Sequence, residues 1–107
     1  MIQFTPEQIK ENWNELIKVI EDTFDGERKE NLLKMYKHFE DRMCVAPASG
    51  QEHFHLCTPG GYVKHILNIV HFSKEFHKLW KDNGAIVDNY TEEELVFAAL
   101  HHDLGKV

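Results

Sequence analysis

The sequence predicts an all-α helical bundle. Apolar residues return at three- and four-residue steps along most of the chain, and helix-capping signals stand ahead of those periodic stretches. The long Pro- and Gly-containing segment between them has no sustained period and reads as a connection, not a strand. At 107 residues the chain is one domain at most. Hydrophobic residues at 42% and charged residues at 28% are the proportions of a packed globular protein rather than a disordered one.

Thr5-Pro6-Glu7-Gln8 opens the first helix, with Thr5 as N-cap, Pro6 at the first helical position and Gln8 placed to complete a capping box. Ile9, Trp13, Leu16, Ile17 and Ile20 then form one apolar stripe, which Asp25-Gly26 interrupts. Leu32, Leu33, Met35, Tyr36, Phe39 and Met43 predict a second helix whose mixed charges form a solvated face. From Val45 to Gly61 the composition is that of a loop, and it carries His53, Phe54 and His55. A loop that long in a small domain is a place to look for function.

A third helix is predicted from about Gly61 to Lys81. Tyr62, Val63, Ile66, Leu67, Ile69, Val70, Phe72, Phe76 and Leu79 give it a broad apolar surface, so it is expected to be central. Trp13 and Trp80 each belong to an apolar helical stripe and are expected in the core rather than as base-stacking platforms. Asp82-Asn83-Gly84 ends this helix. Thr91 caps a fourth, whose Glu92, Glu93 and Glu94 suit the positive end of a helix dipole. That helix runs through Leu95 to Leu100 into His101-His102-Asp103-Leu104-Gly105-Lys106.

Composition narrows the function classes. Cys44 and Cys57 form no CxxC pair, so neither a zinc knuckle nor a disulfide framework is indicated. The formal net charge of -6 disfavours broad adhesion to a nucleic-acid backbone. No apolar run approaches the ~20 residues that span a bilayer, and the first residues lack the pattern of a signal peptide, so the expected location is cytoplasmic, away from membranes. Histidine is the informative excess, with eight in the chain.

His102 and Asp103 follow a strongly apolar run, where burial of a charge or an imidazole is costly unless it is paired or ligated. Imidazole nitrogen with carboxylate oxygen suits Mn, Fe, Co, Ni or Zn, and a carboxylate can bridge two such ions. A His-Asp dipeptide alone is common and, with nothing else beside it, reads as structural or incidental. His38, His71 and His77 sit among helical residues as ordinary positions. His101 points about a quarter-turn from His102, which assigns it to packing or to a bond behind the ligands.

Context changes the reading of that dipeptide. Ala98-Ala99-Leu100-His101-His102-Asp103-Leu104-Gly105-Lys106 resembles the AxLxHDxGK signature of the HD-domain superfamily of phosphohydrolases, and Gly60-Gly61-Tyr62-Val63-Lys64-His65 is similar to that family's upstream element. Both occur in the family's order. The resemblance implies an HD-type bundle in which His65, His102 and Asp103 hold one or two divalent ions, with Mg a further candidate beside the transition metals. The family's fourth ligand, an aspartate on a later helix, has no counterpart in this sequence. The 1–107 segment is therefore expected to be the N-terminal part of a longer HD domain.

The implied chemistry is metal-assisted hydrolysis of a phosphate ester, with Asp103 and Lys106 in catalytic roles. His55, and after it His53, are the candidates for substrate binding. Expected partners are a small nucleotide or related phosphate ester, with a short nucleic acid admitted as well. The rival reading is a non-catalytic HD module whose metal is structural and whose helices serve regulation or partner binding. A di-iron oxygenase of the same fold needs further histidines that this sequence does not contain.

Overall fold

A computed structural model describes residues 4–47, 59–84 and 91–104. Among them the elements are five helices: α1 (Pro6–Thr23), α2 (Gly26–His38), α3 (Glu40–Val45), α4 (Gly61–Asp82) and α5 (Glu92–His101). The described residues contain no strand, and the fold is all-α.

Local chemistry starts the helices where the sequence places them. The capping box on α1 is complete: the Gln8 N–H donates to Thr5 Oγ1 at 3.1 Å, and the Thr5 N–H donates to Gln8 Oε1 at 2.9 Å. Thr91 caps α5 through the Glu94 N–H at 3.1 Å. Each satisfies donors that a helix N-terminus leaves unpaired, a contribution of about 1 kcal/mol.

The predicted second helix is two. At Phe39 the backbone leaves the helical region (φ -102°, ψ 12°) and re-aims the chain into α3. The break is a kink rather than a loop, since the Phe39 N–H still donates to Met35 O and the Met43 N–H to Phe39 O. No glycine or proline marks it, and apolar spacing alone runs straight through.

Side-chain pairs at the two ends of each seam give the helix directions. Lys74 meets Glu92 at 3.8 Å, and His65 meets Asp103 at 3.4 Å, so α4 and α5 run antiparallel. Arg28 reaches Glu93 at 3.2 Å, and Tyr36 packs against His101 with ring centroids 5.9 Å apart, so α2 runs parallel to α5. The Arg28 guanidinium also lies 4.7 Å from the centre of the Phe97 ring, a cation–π contact that clips the starts of α2 and α5 together.

One core joins all five helices, with Leu16, Ile20, Phe24, Val96 and Leu100 entirely buried and Tyr36, Met43, Tyr62, Val63 and Ile66 nearly so. Each such side chain contributes about 1.5–3 kcal/mol by leaving water. Trp13 belongs to this core as expected, but Trp80 does not. Phe72, Phe76, Leu79 and Trp80 are each more than half exposed; the last three lie past the Lys74–Glu92 contact at the start of α5, and Phe72 lies two residues before it on the uncovered side of α4. The expectation that α4 is apolar and central therefore holds for its first half only.

Gly60 fixes where α4 begins. Its φ of +88° is left-handed, and a Cβ there would lie 2.9 Å from Ile9 Cγ1 on α1. The turn thus lets backbone pack directly on α1, and the Tyr62 N–H donates to Ala46 O at 2.9 Å, tying the exit of α3 to the start of α4. Gly60→Ala should destabilise the protein by about 1–2 kcal/mol or more, read as a lower urea midpoint, because the backbone conformation alone costs that much for an L-residue. Phe76→Glu, on the exposed half of α4, should shift stability by no more than about 0.5 kcal/mol in the same measurement.

Candidate metal centre

The Gly60 turn sets His65 a little over one helical turn into α4, on the side that α5 crosses. The antiparallel seam then brings the end of α5 back to that level. His65 Nε2 lies 3.4 Å from Asp103 Oδ2, and His102 Nε2 lies 3.0 Å from the same oxygen. One ligand atom from each of the three residues falls within 4.8 Å of the others. His65 and Asp103 are mostly covered, with side chains 27% and 20% exposed, whereas His102 at 38% opens the cluster to solvent. A ligand can therefore reach the centre from outside.

The tautomer of His102 follows from its hydrogen bond. Its Nδ1 is 2.8 Å from Ala99 O, and a carbonyl oxygen only accepts, so Nδ1 carries the proton. In a neutral ring Nε2 then holds a lone pair, aimed at a carboxylate oxygen 3.0 Å away. Two acceptors at that distance need a hydrogen-bonding proton or a cation between them. A backbone carbonyl behind a ring nitrogen is also the usual way a metal-binding histidine is oriented.

The donor set fits a divalent transition ion. Ligands about 2.1 Å from such an ion stand ~3.0–3.4 Å apart along the edges of an octahedron or tetrahedron. The two separations at Asp103 Oδ2 match those edges. The same three atoms fit an imidazolium–carboxylate cluster, in which a proton takes the place of the ion.

Two residues that sequence reasoning passed over support this centre. Tyr62 is buried on the first turn of α4, and its phenol is pushed up to about 12 by burial and then by the Asp103 carboxylate. Tyr36 is raised further, by burial and then by Tyr62. Both phenols are therefore neutral, and Tyr62 is the one that feels the Asp103 carboxylate. The available signal was Tyr62's place between the Gly60-Gly61 turn and His65.

His101 takes the packing role expected of it. Its Nδ1 donates to Phe97 O at 2.7 Å, and its ring packs at a tilt against Phe97 and edge-on to Tyr36. The Nε2 atom is buried without a hydrogen-bond partner. His38 and His71 are exposed, as ordinary helical positions would be. His53, His55 and Lys106 lie outside the described residues, as does the segment from 48 to 58.

The chain matches no family model, no curated protein and no solved structure.

Burial lowers the pKa of His101, outweighing the opposing effect of its bond to Phe97. A lowered folded-state pKa means the unfolded chain binds this proton more readily, so the contribution is intact above 6.5 and lost as pH falls through and below that value. His101→Phe keeps the aromatic packing and removes the titration. Its urea midpoint in metal-free buffer should fall less on acidification than that of wild type; equal slopes would show that other groups control acid stability.

Proposed function

We propose that the chain is the metal-binding part of an HD-type phosphohydrolase acting on a nucleotide or related phosphate ester. The single observation that carries this reading is the convergence of His65, His102 and Asp103 from two antiparallel helices, with the lone-pair nitrogen of His102 facing the carboxylate. These are the residues of the two motifs that resemble the HD signature, and their chemistry is that of a divalent-metal site.

In this reading His65, His102 and Asp103 hold Mn, Fe, Co, Ni or Zn, or Mg, as one or two ions. The bound ion supplies Lewis acidity toward a phosphate oxygen and lowers the pKa of a water. The chain's own groups do the rest. The Ala99 carbonyl keeps the proton on Nδ1 of His102 and so presents Nε2 to the site. Tyr62, buried and neutral, adds no charge beside the cluster. Lys106 is placed by the motif to neutralise phosphate charge, and His55 and His53 to meet the substrate. A negatively charged protein is suited to a small nucleotide rather than a long nucleic acid.

Among the described residues the candidate ligands number three, an observation that also accommodates the rival reading of a regulatory module with a structural metal. Calorimetric titration with Mn, Co or Ni, paired with a phosphate-release assay on nucleoside monophosphates, separates the two. A protein that includes the later helices the resemblance implies should bind metal and release phosphate, whereas residues 1–107 by themselves should be weak or inactive. Asp103→Ala and His65→Ala should each weaken metal affinity by at least ~10–100-fold, with matching loss of hydrolysis and an unchanged helical signal. Metal binding without turnover on any phosphate ester would favour the regulatory module, and hydrolysis indifferent to Asp103→Ala would exclude the assigned site.

A further inference from the structure

The second half of α4 carries an apolar stripe that faces solvent. Phe72, Phe76, Leu79 and Trp80 are 54%, 59%, 54% and 58% exposed. At about 100° per residue they fall within one sector of the helix roughly 100° wide. The helix buries a different side, through Val63, Ile66 and Val70, so the stripe is surplus apolar area rather than an edge of the core. Side chains of this size carry ~150–250 Å² each, which leaves about 400–500 Å² of apolar surface in water. That lies in the upper part of the ~300–600 Å² found for the largest patch on a monomer, a size that is often functional.

Charges are sorted around this half of the helix. Glu75 and Asp82 stand about 100–120° from Phe76, on the flank beyond Phe72 and Leu79, whereas Lys74, Lys78 and Lys81 stand about 140–160° away, on the far face. Lys74 is turned toward α5, where it meets Glu92 at 3.8 Å. The rim of the stripe is therefore acidic, and the negative end of the α4 dipole, at Asp82, adds the same sign. Among the described residues Glu75 forms no ion pair. Together with Phe72, Phe76 and Leu79 it lines a depression of about 240 Å³. Phenyl rings beside a carboxylate suit an arginine or lysine: the aliphatic stem lies on the rings, and the cation is attracted by the ring faces and by the carboxylate.

Charge and area select the occupant. A second copy packed antiparallel through the same stripe sets acidic flank against acidic flank, and each chain carries a formal charge of -6. The area also falls short of the ~800 Å² per partner of a stable interface, so the contact is a transient one. An anionic bilayer would meet carboxylates at the boundary of the apolar face, where a membrane-surface helix carries lysines. A basic partner meets complementary charge at the rim and in the whole protein. The stripe is about 12 Å long, which two or three turns of a partner helix with apolar residues at matching steps would cover.

We infer that the exposed half of α4 is a docking surface for a basic amphipathic helix of a partner protein, its apolar side chains covering Phe72, Phe76, Leu79 and Trp80 and an arginine or lysine seated against Glu75. Phe76 is 11 residues along α4 from His65, about 16 Å, so the surface is separate from the candidate metal centre and does not depend on the phosphohydrolase reading.

The chain has two tryptophans, Trp13 in the core and Trp80 on the stripe, so their indole N–H signals in 15N-labelled protein separate docking from a change of fold. A synthetic helical peptide with leucines at three- and four-residue steps, flanked by arginines, should shift the Trp80 signal saturably at up to ~1 mM and leave Trp13 in place. The same peptide with glutamates for arginines should bind at least about tenfold more weakly. Glu75→Lys should erase that preference, and Phe76→Glu should remove the shift; both positions are exposed, so the helical signal should stay unchanged. No Trp80 shift, equal affinity for the two peptides, or a Glu75→Lys variant that keeps the wild-type preference would overturn the docking surface. So would a Trp80 shift produced by raising the protein concentration alone, which marks a second copy, or by phosphatidylglycerol vesicles and not by the peptide, which marks a membrane. In a protein that includes later helices the basic peptide should give the same Trp80 shift, and its loss there would show that the rest of the chain covers this face and would equally overturn the proposal.

Discussion

The antiparallel packing of α4 on α5 is the constraint from which the rest follows. α4 begins after a left-handed turn against α1 that only a glycine, Gly60, allows, and α5 begins after the Thr91 cap with three glutamates at its positive end. Between those two starting points the register of the seam is set by apolar side chains, Val63, Ile66 and Val70 on one helix and Val96, Ala99 and Leu100 on the other, all of them buried. Sliding α5 by one turn would move its end by about 5.4 Å and separate Asp103 from His65. The polar cluster is thus positioned by hydrophobic burial. Its own attractions are modest at this degree of exposure, where ion pairs contribute little.

Adjacent histidines on α5 show how one helix end yields two different chemistries. Each uses Nδ1 to donate to a backbone carbonyl about one turn back, Phe97 O for His101 and Ala99 O for His102. The difference lies in where Nε2 ends up. For His101 it is enclosed near Phe97 and Tyr36, where burial favours the neutral ring. For His102 it emerges beside a carboxylate, where a cation or a proton is needed. The aromatic packing of the first histidine anchors the chain on α2, and this anchoring holds the second in place.

Much of the fold was legible because it is local. The capping box at Thr5, the Thr91 cap, the apolar stripe through Trp13, Leu16 and Ile20, and the Gly60-Gly61 start of α4 all follow from residues a few positions apart. The break at Phe39 was not legible, since it lacks a glycine or proline and preserves the hydrogen bonds on either side. Trp80 misled for a different reason. Its periodic spacing with Phe72, Phe76 and Leu79 predicts an apolar face correctly, but periodicity reports which residues share a face and not whether a neighbour reaches it. The first half of α4 has α5 beside it; the last turns lie beyond the start of α5 and stay exposed.

The candidate site divides along the same line. Donor identity is written in the motifs, so His65, His102 and Asp103 could be named from sequence, and the structure brings them together. Their mutual geometry depends on a seam between helices far apart in sequence, and the protonation of His102 depends on a carbonyl three residues before it. Tyr62 is of this second kind. It looks like one more apolar residue on a periodic face until the charge of Asp103 is found to act on its phenol. Local spacing supplies the reactive atoms; packing between helices far apart in sequence supplies their geometry.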